Sequence, residues 1–260
     1  MAEQNLDILA QKVAELIIGA RKLVVFTGAG VSTESGIPDF RSPGGIWSRF
    51  DPDDFTYQKF VADPESRRKQ WRMLGEGHLT TLAEPNPAHY AIAELYKLGR
   101  LDCVITQNVD NLHCKAGVPA EMVFELHGNT QRAVCLSCGR QYPFEEVKAR
   151  LDEGEEIPDC EECHGILKPS VVLFGEPLPA DVLEEASHRS SSCDLFIVIG
   201  STLVVYPAAY MPIYAHQAGA KLVIINLSST PMDGEASVLI TAKAGEAMSK
   251  IMDKLKEKIG

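Results

Sequence analysis

Apolar residues at helical spacing open the chain, and short continuous apolar runs follow them. One helical face carries Leu6, Leu9, Val13, Leu16 and Ile17. This spacing predicts an amphipathic helix from about residue 5 to 20. The later runs have the length and β-branched content of strands that are buried on both faces. They are LVVF (23–26), CVIT (103–106), SVVLF (170–174), LFIVIG (195–200) and LVIIN (222–226).

Helical patterns separate these runs. The segment 89–99 is preceded by Asn86 and Pro87, a capping residue and a proline at the first helical position, and it ends at Gly99. Further helical periodicity covers 180–192 and 245–259. Strands that alternate with helices are typical of the α/β class, so the chain is predicted to form a doubly wound parallel sheet.

Two stretches depart from this alternation. Residues 42–84 are polar and contain several prolines and glycines, with a helical candidate only at 65–75, so we expect a helical insertion or lid there. Residues 128–169 hold four paired cysteines and the acidic run DEGEE (152–156). This second stretch is predicted to be a smaller metal-binding module.

The four paired cysteines have the spacing of a zinc ribbon. Cys135 and Cys138 form one C-x-x-C pair, and 21 residues separate them from the second pair, Cys160 and Cys163. Four thiolates would close the coordination shell of one Zn²⁺, so we expect a structural ion and no catalytic one. The alternatives are a redox C-x-x-C pair or a chance arrangement.

Composition excludes some classes of protein. Of 260 residues, 45% are hydrophobic and 23% are charged, which is typical of a globular protein. The net charge of −11 argues against nucleic-acid binding and is compatible with a cationic protein or peptide partner. We expect no membrane span and no leader peptide, and therefore a cytoplasmic protein. Cys103, Cys114 and Cys193 are interpreted as free thiols, which suits a reducing compartment.

A glycine-rich turn follows the first apolar run, in the segment GAGVSTESGIPDFR (28–41). Gly28 and Gly30 fit a phosphate-binding turn, but Thr33 stands at the third glycine position of the G-x-G-x-x-G fingerprint. A tight turn that binds nothing is the alternative. A dehydrogenase of this fold would also need an acid after the second strand, about 20 positions on, and none is found there.

Polar residues follow several other predicted strands. These are the segments TQNVD (106–110) and GST (200–202) and the single residue Asn226. Because the carboxyl ends of parallel strands meet at one edge of the sheet, we expect all of these groups to converge on one ligand crevice.

Several long motifs resemble the sirtuin family of NAD⁺-dependent protein lysine deacylases. In chain order they are GAGVSTESGIPDFR (28–41), TQNVDNLH (106–113), ELHG (125–128), the four cysteines, PSVVLFGE (169–176), GSTLVVYPAA (200–209) and LVIIN (222–226). The similarity extends from about residue 20 to 250. It implies a Rossmann-like NAD-binding domain (1–41, 85–127 and 170–260), a helical insertion and cofactor loop (42–84) and a zinc module (128–169).

The resemblance implies that NAD⁺ is consumed as a co-substrate and that its sites are distributed over the loops. The implied NAD-binding residues are Gly28, Ala29, Gly30, Thr33, Phe40, Arg41, Gln107, Asn108, Val109, Asp110, His127, Gly200, Ser201, Thr202, Asn226, Leu227, Lys243 and Ala244. Main-chain N–H groups of residues 28–30 would meet the pyrophosphate. Phe40 would lie near the nicotinamide, although an apolar core position is the alternative for this residue.

The same resemblance implies the chemistry. His127 matches the general base that activates a ribose hydroxyl, while Asn108 and Asp110 match residues that orient the ribose and the nicotinamide carboxamide. By residue type alone, His127 would more often be structural, and Asn108 and Asp110 could form a helix cap or an Asx-turn. The acylated protein would pair with the chain as an added strand. The implied contacts are Val172, Phe174, Gly175, Glu176 and Val205.

The kind of acyl group that is removed can be predicted from two positions in the helical insertion. Relatives that remove succinyl groups carry a Tyr-x-x-Arg pair, and Trp71 and Leu74 stand at the positions that correspond by counting. An apolar pocket would leave a succinyl carboxylate unpaired, so we expect removal of acetyl or longer fatty acyl groups. A zinc-containing NAD dehydrogenase, a binding module without turnover and an ADP-ribosyl transferase are the competing hypotheses.

Overall fold

The computed structural model describes residues 5–77 and 83–260. Its strands are β1 Leu23–Thr27, β2 Leu101–Thr106, β3 Val123–Glu125, β4 Gly128–Cys135, β5 Gln141–Pro143, β6 Leu167–Val171, β7 Leu195–Ile199, β8 Lys221–Ile225 and β9 Val238–Ile240. Its helices are α1 Leu6–Gly19, α2 Tyr57–Ala62, α3 Pro64–Gly75, α4 Pro87–Lys97, α5 Leu112–Ala116, α6 Phe144–Asp152, α7 Ala180–Ser192, α8 Tyr210–Gln217 and α9 Ala244–Ile259.

The large sheet is parallel and has the order β3-β2-β1-β7-β8-β9. Its strand order reverses between β1 and β7, which places the crevice for a ligand at the carboxyl ends of these two strands. The predicted doubly wound sheet is thereby confirmed. Strands β1 and β7 are buried at every position, as expected for strands covered on both faces.

Helices cover both faces of this sheet. Buried residues of α1, α4 and α9 pack on one face, and those of α7 and α8 pack on the other. Helix α4 begins as predicted, because the side chain of Asn86 accepts a hydrogen bond from the amide of Ala88 and Pro87 occupies the first position. His89 completes the cap through Nδ1, which accepts from the amide of Asn86.

A second, smaller sheet is antiparallel and has the order β5-β4-β6. The prediction of a strand at 170–174 buried on both faces was wrong. Strand β6 ends at Val171 and pairs with β4, and Phe174 beyond it is 47% exposed. The apolar run is therefore split between a strand of the small sheet and the wall of a cleft. Strand β6 also extends past residue 169, the predicted end of the metal module.

The insertion packs against the small sheet. Helix α3 contributes Trp71 and Leu74 to a cluster with Tyr142, Phe144 and Val147 of the small module. Asp63 caps α3 by accepting from the amide of Glu65. The predicted insertion at 42–84 also contains residues 78–82, which lie outside the described residues. Within residues 5–77 and 83–260, no helix is long and apolar enough to cross a membrane.

Candidate active site

The loops after β1 and β7 touch at the point where the strand order reverses. A Cβ atom at Gly30 would lie 2.8 Å from Cα of Gly200, and one at Gly28 would lie 2.9 Å from Cβ of Ser201. The glycines are required by this close approach of two backbones. Gly200 itself has a φ of 65°, in the left-handed region that favours glycine.

The amides of this turn are only partly available to a ligand. The N–H of Gly28 donates to the carbonyl of Ile199, and the N–H of Gly30 donates to the carbonyl of Gly200. Two of the three amides that were expected to meet a pyrophosphate are thus already bonded within the protein. Ala29 lies between them and lines the cleft described below. Residues Ala29–Ser35 form a 3₁₀ helix that ends at Gly36, where φ is 86°.

A buried hydroxyl connects the loops after β1 and β2. Oγ of Ser32 lies 2.6 Å from Oδ2 of Asp110 and 3.0 Å from Nδ2 of Asn108. Because the carboxylate accepts and the amide donates, the Ser32 hydroxyl donates to Asp110 and accepts from Asn108. All three side chains are buried. The arrangement holds the predicted pair Asn108 and Asp110 in one orientation toward the cleft.

Two histidines lie behind this hydroxyl. Nε2 of His89 is 3.5 Å from Oγ of Ser32, and the rings of His89 and His113 are 5.0 Å apart. Burial lowers the pKa of His89 to about 4 and lowers that of His113 well below its ordinary value. Both rings are therefore neutral near pH 7. Nε2 of His113 is 2.9 Å from Oγ1 of Thr27, so the polar network continues into the end of β1.

His127 projects into the same crevice from the residues that follow β3. Its Nδ1 lies 2.9 Å from the carbonyl oxygen of Gln107. A carbonyl oxygen only accepts, so Nδ1 carries the hydrogen and Nε2 is left with its lone pair. Burial lowers the pKa of His127, and the hydrogen bond to Gln107 opposes that effect. The result is a neutral imidazole whose Nε2 can accept a proton.

The predicted residues near β7 are connected to this crevice. Nε2 of Gln107 donates to Oγ of Ser201 across 2.8 Å, which joins the loops after β2 and β7. Thr202 follows Ser201 in the same loop. Val109 contributes its carbonyl oxygen to the amide of Thr130 in the small sheet. The predicted convergence of the strand ends is therefore present on this side of the sheet.

The residues predicted at the adenosine end lie further along the same edge. Asn226 follows β8, and its Nδ2 donates to the carbonyl of Ser228 at 2.8 Å. Leu227 beside it is exposed, and Lys243 and Ala244 are the cap and first residue of α9. These four residues are not among those that line the cleft containing His127. Glu34, which the sequence reasoning missed, accepts a hydrogen bond from the amide of Gly245 in the first turn of α9.

The segment 37–41, which follows the 3₁₀ helix, contributes to one side of the cleft. Phe40 lines it and packs against Trp47, with ring centroids 5.2 Å apart, so a core position for Phe40 is excluded. Arg41 also lines the cleft and is exposed. Thr33 lies in an adjoining pocket, and its hydroxyl donates to the carbonyl of Gly30.

The cleft has a volume of about 270 Å³ and is mainly apolar. Its predicted polar members are Gln107, Asn108, Asp110 and His127, and its predicted peptide-contact members are Val172, Phe174, Gly175, Glu176 and Val205. A largely apolar cleft with a few converging polar groups is the usual form of a small-molecule or substrate site.

The segment 172–176 is held from within the protein. The amide of Val172 donates to the carbonyl of His127 at 2.8 Å, while Phe174 pairs through its N–H and C=O with Phe55 and Tyr57 of the insertion. Gly175 has a φ of 87°, which turns the chain back into the cleft wall. The backbone of Phe174 is thus already paired with the insertion.

Glu176 supports this segment. One carboxylate oxygen, Oε2, accepts from Nζ of Lys168 at 3.0 Å and from the amide of Leu173 at 2.7 Å. Lys168 is almost fully buried, and burial lowers its pKa while Glu176 opposes that effect. Removing Glu176 would leave the buried ammonium of Lys168 without its carboxylate partner. Glu176 therefore stabilises the segment 172–176.

One prediction about the residues of α3 that line the cleft was wrong. Trp71 is fully buried in the cluster with the small module and does not line the cleft. The residues of α3 that do line it are Gln70, Met73 and Leu74. Nε2 of Gln70 donates to the carbonyl of Asp54. None of these three α3 residues is cationic. Counting back from Pro85 therefore placed Leu74 correctly at the cleft but not Trp71.

The four predicted metal ligands come together. The sulfur atoms of Cys135, Cys138, Cys160 and Cys163 lie within 4.8 Å of one another. Sγ of Cys135 is 3.5 Å from that of Cys163, and Sγ of Cys138 is 3.7 Å from that of Cys160. A tetrahedral ion with Zn–S bonds of about 2.3 Å separates its sulfurs by about 3.8 Å, so the cluster fits one Zn²⁺.

A tyrosine supports one of these ligands. The hydroxyl of Tyr142 lies 3.2 Å from Sγ of Cys160 and accepts a hydrogen bond from the amide of Glu161 at 3.1 Å. Its own hydrogen is therefore directed to the sulfur. Sequence reasoning missed Tyr142, because no motif links it to the cysteines.

Glu125 was missed as well. Its Oε1 lies 2.5 Å from Nδ2 of Asn129, and burial raises the pKa of its carboxyl to about 7. The nearby charge of Asp110 also raises this pKa. Its position two residues before His127, within ELHG, was the available signal.

Fold and site together define a class of protein: a Rossmann-like α/β fold with a four-thiolate module and a neutral histidine in the crevice at the carboxyl ends of the parallel strands. The Sir2 family model matches residues 28–207. The chain therefore belongs to the Sir2 family.

Similar proteins cover nearly the whole chain. An NAD-dependent protein deacetylase of Thermodesulfovibrio yellowstonii is 47% identical over 94% of this chain and 94% of its own length. An NAD-dependent protein deacylase 2 of Archaeoglobus fulgidus is 46% identical over 95% of this chain and 96% of its own length. A solved complex of Sir2 with a p53 peptide and NAD⁺ is 39% identical, with a TM-score of 0.85, and covers 96% of this chain and 98% of that one.

Proposed function

We propose that this protein is an NAD⁺-dependent protein lysine deacetylase. The observation that carries the proposal is the neutral His127, whose Nε2 is free to accept a proton in a cleft that also contains Asn108 and Asp110. Similarity to deacetylases and deacylases over almost the full length of the chain supports the same activity.

In this proposal NAD⁺ supplies the sugar carbon that takes the acyl oxygen as nicotinamide leaves. His127 then removes a proton from a ribose hydroxyl, because its Nε2 is the unprotonated nitrogen. Asn108 and Asp110 orient the ribose and the carboxamide, and Ser32 holds both of them. Water completes the reaction, and the products are free lysine, nicotinamide and O-acetyl-ADP-ribose.

The remaining predicted residues complete the proposal. Ala29, Phe40 and Arg41 would contact NAD⁺ from the connection after β1, and Ser201 and Thr202 from the loop after β7. The adenosine would lie toward Asn226, Leu227, Lys243 and Ala244. The carbonyl of Val172 would accept the N–H of the acyl-lysine, and Gly175 and Val205 would flank the peptide. The four thiolates would hold one structural Zn²⁺.

The acyl group would be apolar. Met73 and Leu74 line the cleft beside Gln70, so a succinyl carboxylate would find no cation from α3. Acetyl and succinyl peptides of one sequence should be assayed in parallel, and comparable succinyl turnover would contradict this preference.

We also propose that the protein acts in the cytoplasm. Cys103, Cys114 and Cys193 are free thiols, and a four-thiolate metal site needs reduced cysteines.

The deciding experiment is mass spectrometry of an acetylated peptide incubated with and without NAD⁺. Loss of acetyl, together with nicotinamide and O-acetyl-ADP-ribose, is the expected result. NADH absorbance would indicate a dehydrogenase instead, transfer of ADP-ribose to protein would indicate a transferase, and binding without products would indicate a binding module. His127→Ala serves as the matched control.

A further inference from the structure

A row of three tyrosines, of which two are exposed and the third is partly buried against the core, begins at the mouth of the cleft. It consists of Tyr206, Tyr210 and Tyr214, and we call it the tyrosine row. The ring centroids of Tyr206 and Tyr210 are 4.7 Å apart in an edge contact, and those of Tyr210 and Tyr214 are 5.8 Å apart and nearly parallel, at 15°. Tyr206 is 53% exposed and Tyr210 is 42% exposed. Large aromatic rings that are exposed side by side commonly mark a contact surface.

The row is continuous with the cleft that we propose for the acyl-lysine. Tyr206 and Val205 line that cleft, whereas Tyr210 and Tyr214 lie one helical turn apart on α8 and lead away from it. The three ring centroids extend over at most about 10 Å, the length of about three residues of extended chain. A polypeptide whose acyl-lysine fills the cleft would therefore pass over the row with a residue two to four positions away.

The chemistry of the row selects a cationic side chain. The face of a tyrosine ring attracts an ammonium or guanidinium group. Within the described residues, the chain's own cation–π pairs are Arg140 on Tyr142 and Arg189 on Phe124, so none of its cations covers the row. The net charge of −11 also attracts cationic polypeptides over longer distances.

We propose that the tyrosine row is a subsite that binds an arginine or lysine of the substrate protein, two to four residues from the acyl-lysine. This inference rests on the proposed deacetylase function and adds a preference for the flanking sequence to it. Tyr210 supplies the central ring, because it contacts both of its neighbours and does not line the cleft.

The test compares acetyl-lysine peptides that differ at one flanking position. Arginine, alanine or glutamate is placed in turn at each of the four positions on either side of the acetyl-lysine, and kcat/KM is measured. We expect arginine to exceed alanine by about two- to five-fold at one or two positions, as for an exposed cation–π contact. Equal values for arginine and alanine at every position would overturn the proposal.

Variants separate the rings from general attraction by charge. Tyr210→Ala should abolish the arginine preference and leave kcat/KM for the alanine peptide unchanged, while Tyr210→Phe should keep the preference because the ring remains. Tyr90→Ala, at a tyrosine on α4 that is 52% exposed, is the matched control and should keep it. Persistence of the preference in Tyr210→Ala, or its loss in Tyr210→Phe, would contradict the subsite.

Two further measurements separate failure of the subsite from failure of the proposed function and from unfolding of the variant. Turnover of the alanine peptide by the unmodified protein establishes the deacetylase whatever the flanking results are. If Tyr210→Ala unfolds at a lower temperature than the unmodified protein, Tyr210→Gln keeps an apolar stem without a ring and should lose the preference in the same way. A preference retained by Tyr210→Gln would likewise overturn the subsite.

Discussion

Oγ of Ser32 lies 2.6 Å from Oδ2 of Asp110, so a hydroxyl of the loop after β1 is bonded to a carboxylate of the loop after β2. The same oxygen accepts from Asn108 at 3.0 Å. One side chain thereby sets the orientation of two residues that are proposed to hold NAD⁺.

Replacing Ser32 by alanine should lower kcat/KM for an acetyl peptide by about ten- to hundred-fold. The reason is that Asp110 and Asn108 lose a shared buried partner, at a cost of about 1–3 kcal/mol. Steady-state kinetics at limiting NAD⁺ would measure the change. Ser191→Ala is the matched control, because Oγ of Ser191 is bonded within α7 and is exposed. Equal activity of the two variants would contradict the proposed role of Ser32.

His127→Ala should reduce turnover by about 10²- to 10⁴-fold, the usual contribution of a general base. The pH profile gives a second check. Burial lowers the pKa of His127 from 6.5, so the base stays unprotonated as the pH falls through that value. Activity should therefore persist below pH 6.5. A loss of activity centred above pH 6.5 would show that another group limits the reaction or that this imidazole is not buried.

The sequence predicted the elements with long apolar or capping patterns and missed the shortest ones. The long apolar runs predicted β1, β7 and β8, and the Asn86–Pro87 pair predicted the start of α4. Strands β3 and β9 have only three residues each, too few for a period to emerge. The run at 170–174 was assigned to the wrong sheet, since an apolar stretch does not specify its pairing partner.

The site shows the same limit. Motifs identified His127, Asn108, Asp110 and the four cysteines as a set, but they gave no sign that Ser32 binds Asp110. The two residues are 78 positions apart, and only the parallel pairing of β1 with β2 brings their loops together. Tyr142 is a similar case, because its bond to Cys160 depends on the pairing of β5 with β4.

Glu125→Gln should make the protein relatively more stable at alkaline pH. Burial raises the pKa of Glu125 to about 7, whereas the ordinary carboxyl value is 4.5. The stabilising contribution of the protonated form is thus complete below pH 4.5 and is lost as the pH rises through 7. The variant has no such loss, and its amide oxygen can still accept from Asn129.

Denaturant unfolding of both proteins at several pH values measures this effect. The free energy of unfolding should favour the variant by up to about 3 kcal/mol at pH 8, and the difference should shrink toward pH 5. The buried histidines contribute equally to both proteins and cancel in the comparison. Glu121→Gln, at an exposed position nearby, is the control. A difference that does not vary with pH would contradict the shifted carboxyl.

Tyr142→Phe should lower the affinity of the site for Zn²⁺ without removing a ligand. The Tyr142 hydroxyl donates to Sγ of Cys160 at 3.2 Å, and a phenylalanine would leave the thiolate without that donor. Hydrogen bonds to the side chains that ligate a metal commonly change metal affinity by about 10- to 100-fold. Zinc release to a chromogenic chelator should therefore be faster by a factor in that range, with all four cysteines still present. Tyr90→Ala, remote from the cluster, should release zinc at the unmodified rate, and an equal rate for Tyr142→Phe would show that the hydroxyl does not stabilise the thiolate.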